Sequence, residues 1–199
     1  MKIVCVGYLE GSGGAERQIT LLANELANLG NEVYLAVVAK YNKKYDISDN
    51  VIVKDLTCFE NSKLSLVSRY LALKKLYTEI KPDVTVHFWF QSLYLSTFMK
   101  KKYRNITIYS ERGDPGDSEY NGLLGIVRSV AFKQVNGFVF QSNGAKSYFQ
   151  NQIRERSIVI PNPVFIKRSD FPVIKCRTKR IVTMGRLHPQ KNQKLLIEA

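Results

Sequence analysis

The sequence contains two glycine-bearing corners, each between a predicted strand and a predicted helix, that are suited to binding phosphates or sugars. The first corner reads Gly7-Tyr8-Leu9-Glu10-Gly11-Ser12-Gly13-Gly14. A glycine loop at a helix amino terminus presents free backbone N–H groups, and a ligand approaches closely because no β-carbon intervenes. We therefore predict a binding loop at Gly13 and Gly14, and the alternative is a simple tight turn.

The second corner reads Met184-Gly185-Arg186-Leu187-His188-Pro189-Gln190-Lys191. The guanidinium of Arg186 offers a planar fork for phosphate oxygens, and Lys191 adds a mobile point charge. The pair suits a diphosphate, and the alternative is that both residues are surface cations of a basic protein.

Neither corner matches the common nucleotide-binding loops. The first is not a Walker A loop, because no GK[ST] follows, and not GxGxxG, because Glu16 occupies the place of the third glycine. Glu16 can simply complement the helix dipole. The second predicted strand ends in Val37-Val38-Ala39-Lys40, which lacks the acidic residue that holds a nicotinamide cofactor's ribose. These departures argue against a dehydrogenase.

Polar residues also follow two later strands, at the end where doubly wound sheets collect their ligands. His87 lies in the apolar run Val86-His87-Phe88-Trp89-Phe90, so a hydrogen-bonded, half-buried histidine is as compatible with the sequence as an active one. Glu111, Arg112 and Asp114 follow the next strand, where they form either part of a site or a self-paired loop.

Short β-branched runs alternate with segments of helical period, which predicts an α/β fold with a doubly wound, mostly parallel, Rossmann-like sheet. The predicted strands are Lys2–Val6, Glu32–Val38, Val51–Leu56, Val84–Phe88, Ile106–Ser110, Gly137–Phe140 and Ser157–Ile160. The predicted helices are Ala15–Leu29, Leu66–Ile80, Leu93–Lys100, Leu123–Gln134 and Ala145–Gln150.

The pattern predicts one complete domain, an interdomain linker and the start of a second domain. The first domain covers residues 1–164, and the mixed polar linker covers 165–179. Residues 180–199 read as a first strand, Arg180–Met184, and a helix, Asn192–Ala199. We expect this second Rossmann-like domain to be incomplete within the sequence.

The chain carries 30 Lys and Arg against 17 Asp and Glu, a formal net charge of +13. Such a surface attracts phosphates, anionic lipid headgroups or nucleic acid, and the alternative is a solvated basic surface. Nucleic acid is not the expected partner, because no motif that reads it is recognisable.

Three scattered cysteines suggest neither a disulfide framework nor a zinc site. No apolar run approaches the ~20 residues of a membrane helix, and the amino-terminal apolar stretch reads as a strand and not as an export signal. We expect a cytoplasmic protein.

Five motifs occur in the order found in one large enzyme family. They are Gly13-Gly14-Ala15-Glu16-Arg17, Lys81-Pro82-Asp83-Val84, Ser110-Glu111-Arg112-Gly113-Asp114-Pro115, Ile160-Pro161-Asn162-Pro163-Val164, and Gly185-Arg186-Leu187 with Lys191 before Leu196-Ile197-Glu198-Ala199. Together they resemble the GT-B glycosyltransferases of the retaining family 4. The resemblance implies two facing domains, the first for the acceptor and the second for a nucleotide-sugar donor.

The resemblance also implies roles for individual residues. Arg186 and Lys191, with Gly13 and Gly14, would grip the donor diphosphate, as two corners around one pyrophosphate. The sugar would be contacted by His87 or Glu111, and the acceptor side would hold Glu16, Arg17, Arg112, Asp114 and Asn162. The absence of a DxD motif agrees with the metal-independent chemistry of the family, with no cofactor besides the nucleotide-sugar co-substrate.

The leading hypothesis is a fragment of a retaining glycosyltransferase of cell-surface polysaccharide synthesis. Its acceptor would be a glycan or a lipid-linked sugar, with peripheral contact at the inner, anionic face of the membrane. The alternative is a non-catalytic acceptor-binding module that works with a separate donor domain. In either case we expect the 199-residue chain alone not to turn over.

Overall fold

The computed structural model describes residues 1–11, 13–42, 44–57, 65–97, 99, 105–116, 120, 122–163, 182–185, 187 and 191–198. The chain divides into two compact units, Met1–Asn162 and Pro163–Ala199. The predicted linker at 165–179 lies outside the described residues.

The first unit is built on a parallel sheet. Its strands are β1 (Lys2–Leu9), β2 (Glu32–Tyr41), β3 (Val51–Asp55), β4 (Val84–His87), β5 (Ile106–Ser110), β6 (Gly137–Phe140) and β7 (Ser157–Val159). They pair in the order β3-β2-β1-β4-β5-β6-β7, and every neighbouring pair is parallel. The predicted fold class is therefore confirmed.

Helices cover both faces of the sheet. Those of the first unit are α1 (Gly14–Asn28), α2 (Ser65–Ile80), α3 (Phe90–Thr97), α4 (Leu123–Phe132), α5 (Asn143–Ser147) and α6 (Asn151–Glu155). Successive residues of a strand face opposite sides, so Cys5 packs with Ile19 of α1, whereas Val4 and Val6 pack with Leu73 of α2. A third cluster joins α3 and α4 to β5 and β6.

The helix ends follow from local sequence. Gly30 after α1 has a φ of +82°, a left-handed conformation that glycine adopts without strain, and its N–H donates to the Ala27 carbonyl. Lys81 after α2 also has positive φ, and Pro82 prevents the helix from continuing. Among the described helices, none is both long and apolar enough to cross a membrane.

Several predicted boundaries in the first unit are wrong. The strand β2 runs to Tyr41 and not to Val38, and α3 is Phe90–Thr97 and not Leu93–Lys100. The strand β1 continues to Leu9, because Gly7 pairs with Val37 and Leu9 with Tyr41, so the loop of the first corner is shorter than predicted. The predicted helix Ala145–Gln150 overlaps only the end of α5, and α6 begins beyond it. The break between the two short helices, residues 148–150, contains Phe149, which packs into the third cluster and is 9% exposed.

The second unit contains one described helix, α7 (Gln193–Glu198), within the predicted helix. The predicted strand Arg180–Met184 is wrong over its described part, since residues 182–184 are not in a strand. A strand requires a neighbour to hydrogen-bond, and the side chains of Val182 and Met184 are 80% and 99% exposed. An apolar alternating run alone does not supply such a neighbour.

Candidate functional site

The carboxyl ends of β1, β4 and β5 are joined by a row of aromatic contacts. The Trp89 ring lies directly over Gly7, where an added β-carbon would come within 2.5 Å of it. Tyr8 packs edge-on against Trp89 at 5.2 Å, and Phe88 lies 6.0 Å from Trp89. The guanidinium of Arg112 lies 4.5 Å from the Phe88 ring centroid. The first corner and the loop after β5 therefore belong to one edge of the sheet.

At the first corner, α1 begins at Gly14, and Gly13 precedes it without a side-chain cap. The Tyr45 hydroxyl donates to the Gly13 carbonyl at 3.0 Å. The Glu16 carboxylate occupies the space that a side chain on Gly13 would need, so it sits at the positive end of the helix dipole. Gly14 and Arg17 are exposed beside it. A phosphate approaching this helix end meets the Glu16 charge first, which favours the dipole-complementing role of Glu16.

His87 is completely buried. Its Nδ1 lies 3.2 Å from the Ser92 hydroxyl and its Nε2 lies 3.5 Å from the Ser96 hydroxyl. Burial lowers the pKa of His87 to about 3, so the imidazole is neutral at physiological pH. Because the ring has no exposed surface, His87 is a hydrogen-bonded core residue. Contact of His87 with a sugar stays a prediction, and the burial of the ring argues against it.

Glu111 is also buried, and its two carboxylate oxygens accept four hydrogen bonds. Oε2 accepts from Nη2 of Arg128 at 2.7 Å and from the Tyr109 hydroxyl at 3.2 Å. Oε1 accepts from the backbone N–H groups of Arg112 at 3.1 Å and Gly113 at 3.2 Å. A carboxylate bound in this way holds the loop after β5 in shape, and its reach towards a sugar stays a prediction.

Arg128 is the site residue that sequence reasoning missed. It lies on α4 in the run Leu123-Leu124-Gly125-Ile126-Val127-Arg128, is 6% exposed, and also donates from Nη1 to the Pro115 carbonyl. A single arginine within an apolar helix could have indicated a buried ion pair, because a buried cation requires a buried partner.

Arg112 is held at the carboxyl edge by a chain of amide side chains. Its Nη1 donates to Oδ1 of Asn162 at 2.5 Å, and the Asn162 amide donates to Oε1 of Gln141 at 2.8 Å. The Gln141 amide donates to the Glu111 carbonyl at 3.3 Å. Burial lowers the pKa of Arg112 to about 10, against the opposing effect of the Glu111 charge, so the guanidinium stays cationic at neutral pH. The edge thus carries a fixed cation.

Asp114 closes the loop after β5 on itself. Its Oδ1 accepts from the Gly116 N–H at 2.9 Å, and the residue is exposed. The predicted self-paired loop is therefore present in part, although Glu111 pairs with Arg128 and not with Arg112.

At the second corner, Lys191 is exposed, and its side chain packs beside Gly185, where an added β-carbon would lie 3.6 Å from Cγ of Lys191. Arg186 lies outside the described residues, so the shared grip of Gly13 and Arg186 on one pyrophosphate stays a prediction.

The chemistry available at the edge is recognition and charge stabilisation. Arg112 can donate to phosphate or carboxylate oxygens, and the amides of Gln141 and Asn162 suit hydroxyl groups. Within the described residues, no three His, Cys, Asp or Glu side chains come together as metal ligands.

The burial of His87 predicts a pH-dependent stability. The unfolded chain binds a proton on His87 below its ordinary pKa of about 6.5, whereas the folded chain does not until about 3. Stability is therefore full above the unfolded pKa and falls as the pH decreases, by ~2 kcal/mol between neutral pH and about pH 5. Urea unfolding at several pH values measures this, with His87→Gln as the reference. Equal pH slopes for the two proteins would contradict the assignment.

Comparisons with known proteins identify the family of the chain and the fold of its first unit. The family model of Glycosyltransferase Family 4 matches residues 12–168, most of the chain. No curated protein matches the sequence significantly. Several solved structures share the fold of the first unit at identities too low to indicate more than the fold.

HepE of Anabaena, solved with UDP and glucose, is 17% identical with a TM-score of 0.64, over 82% of this chain and 45% of HepE. The lipopolysaccharide outer core galactosyltransferase WaaB is 18% identical with a TM-score of 0.61, over 84% of this chain and 47% of WaaB. A UDP-N-acetylglucosamine 2-epimerase from Rickettsia bellii is 12% identical with a TM-score of 0.60, over 81% of this chain and 45% of the epimerase.

The chain thus spans about half the length of these structures. Because an epimerase shares the fold as closely as the transferases do, the fold does not distinguish the two activities. The family match rests on more than the fold, and it covers Gly13, Gly14, the loop after β5 and Asn162. This chain belongs to glycosyltransferase family 4.

Proposed function

We propose that the chain is the acceptor-side part of a glycosyltransferase that moves a sugar from a nucleotide-sugar to a glycan or lipid-linked acceptor. The family match over residues 12–168 carries this proposal. HepE is described with UDP and glucose, which supports a nucleotide-sugar donor. WaaB acts on the lipopolysaccharide outer core, which supports a role in surface polysaccharide synthesis.

In this proposal the transfer retains the anomeric configuration and needs no metal ion. The charge that develops on the leaving diphosphate is met by Arg186 and Lys191, which take the place of a metal as the cations. A contribution of the Gly13 and Gly14 backbone N–H groups to diphosphate binding stays a prediction, because the Glu16 carboxylate lies against Gly13.

Arg112 is the residue of the first unit best placed to meet a substrate. Its guanidinium is fixed by Asn162 and by the Phe88 ring, so little side-chain entropy is lost when a ligand binds. We assign Arg112 to an anionic group of the acceptor or of the donor. Glu111 shapes the loop that carries Arg112, and is a positioning residue in this scheme.

Replacing Arg112 by methionine keeps the packing on Phe88 and removes the charge. We expect activity to fall about 10- to 100-fold, since one charge-assisted hydrogen bond contributes ~1.5–3 kcal/mol. The measurement is release of nucleoside diphosphate from a panel of nucleotide-sugars, with membrane glycolipid as acceptor. The protein assayed is either a longer protein that contains this chain or the 199-residue chain with a donor-binding domain added.

Lys81→Met is the matched control, because Lys81 is exposed and precedes β4, at the end of the sheet opposite to Arg112. Full activity of Arg112→Met would contradict the role of Arg112, whereas no release from any donor would contradict the transferase proposal. Activity that requires a separately added donor domain would favour the split-enzyme alternative. Turnover by the 199-residue chain alone would contradict the expectation that this piece is inactive.

The proposal includes peripheral contact of a cytoplasmic protein with an anionic membrane. The α2 surface supports it, because Leu66, Val67 and Leu71 are each more than half exposed and Lys74 and Lys75 continue the same helix. Apolar side chains flanked by cations are typical of surfaces that bind anionic lipid interfaces.

The double variant Leu66→Ser and Leu71→Ser tests this surface. We expect roughly tenfold weaker binding to vesicles containing anionic lipid, measured by co-sedimentation, because two apolar side chains no longer enter the interface. The control changes two exposed apolar residues of α4, Leu123→Ser and Ile126→Ser. Equal losses in both double variants, or no vesicle binding by the unaltered chain at low salt, would overturn the assignment.

A further inference from the structure

A cavity of about 400 Å³ lies between α4 and the α5–α6 segment, beside the loop after β5 but outside the row of residues at the carboxyl edge. Its volume is in the range of pockets that hold small organic ligands. The lining divides into aromatic rings, cations and neutral polar groups, and each set restricts what the cavity can bind.

The aromatic residues form a floor and a wall. Phe132 and Phe149 are buried at the floor, at 4% and 9% exposure, and their ring centroids are 5.8 Å apart. Tyr148 is 61% exposed and stands at the side, and Tyr120 lines the cavity near it. An exposed ring beside buried rings provides a flat apolar surface on which the C–H face of a sugar ring can pack.

Three cations line the same cavity: Arg128, Lys133 and Arg156. Arg156 is fixed, because its Nη1 donates to the Val135 carbonyl and its Nε donates to the Gln152 carbonyl. Glu111, which does not line the cavity, pairs with Arg128, and among the described lining residues no Asp or Glu balances Lys133 and Arg156. The cavity therefore favours a ligand that carries a negative charge.

Arg128 forms part of the cavity wall. The residue is 6% exposed, its guanidinium stacks on Tyr120 at 3.9 Å, and its Nη1 and Nη2 donate to the Pro115 carbonyl and to Glu111. Its charge is already paired, so among the described lining residues Lys133 and Arg156 are the cations that can meet an anionic ligand.

The remaining lining is neutral and polar. Ser129, Gln150 and Gln152 are exposed at the rim, where a hydroxyl and two amide groups both donate and accept. That mixture matches the hydroxyl groups of a sugar better than it matches a bare inorganic anion, which only accepts.

We infer that this cavity is a binding subsite for an anionic carbohydrate, a sugar ring that carries a carboxylate or a phosphate. The ring packs on Tyr148, its hydroxyl groups meet Gln150 and Gln152, and its charge meets Lys133 and Arg156. The subsite goes beyond the proposed transfer reaction, because binding there requires neither a donor nor turnover.

The test is an NMR titration of the 199-residue chain with glucuronate, with glucose, inorganic phosphate and UMP as separate probes. We expect saturable millimolar binding of glucuronate, with shifts at Ser129 and Gln152, and weaker binding of the other three probes. Lys133→Gln and Tyr148→Ala change exposed side chains and should each weaken glucuronate binding roughly tenfold, equal to ~1.4 kcal/mol. Lys75→Gln on α2 is the matched control and should leave the affinity within about twofold.

Each other outcome overturns the inference. Phosphate binding as tight as glucuronate would make the cavity an anion site only, and tighter binding of UMP would make it a nucleotide site. Glucose binding as tight as that of glucuronate would show that the cations do not contribute to the affinity. No saturable glucuronate binding, or binding that both variants leave unchanged, would show that the cavity is not the subsite.

Discussion

The buried ion pair between Glu111 and Arg128 sets the shape of the carboxyl edge. Two charges in the interior are tolerated only when each is paired and hydrogen-bonded, and removing one partner of such a pair typically costs ~3–5 kcal/mol. Here the carboxylate accepts four hydrogen bonds, two of them from the backbone of the loop that it begins. The pair therefore connects α4 to the loop that carries Arg112.

The parallel sheet places the other parts of the site on the same edge. Because every strand runs in one direction, the residues after β1, β4, β5, β6 and β7 emerge side by side. Trp89 and Phe88 fill the space between the glycine corner and Arg112, and only a glycine at position 7 admits the Trp89 ring. A cation set in this row meets a ligand without a large rearrangement, which is the condition for electrostatic preorganisation.

The sequence was sufficient for the architecture because alternation of β-branched runs and helical segments is a local signal repeated along the chain. The rule for parallel sheets correctly placed Glu111 and Arg112 directly after β5, and the resemblance grouped Arg112 with Asn162, which contacts it. The motif order led to family 4, which the family match confirms. Each of these inferences depends on residues close in sequence or on a general rule of parallel sheets.

What sequence reasoning missed depends on packing between distant residues. The partner of Glu111, Arg128, lies 17 positions away on α4, and no sequence pattern near Glu111 predicts the pairing. The burial of His87 follows from α3 closing over β4 with Ser92 and Ser96, which the apolar run around His87 left undecided. The strand expected at Arg180–Met184 lacked any signal for a neighbouring strand, and the break between α5 and α6 depends on where Phe149 packs.

Hydrogen exchange at the backbone N–H groups of Arg112 and Gly113 tests the role of the ion pair most directly. Both groups donate to Oε1 of Glu111, so they should exchange more slowly than in an unstructured peptide, although Gly113 is exposed. Arg128→Met should accelerate both selectively, while the amide of Ala23 in α1 keeps its rate. Unprotected exchange of both groups in the unaltered chain, or rates that Arg128→Met leaves unchanged, would contradict the account.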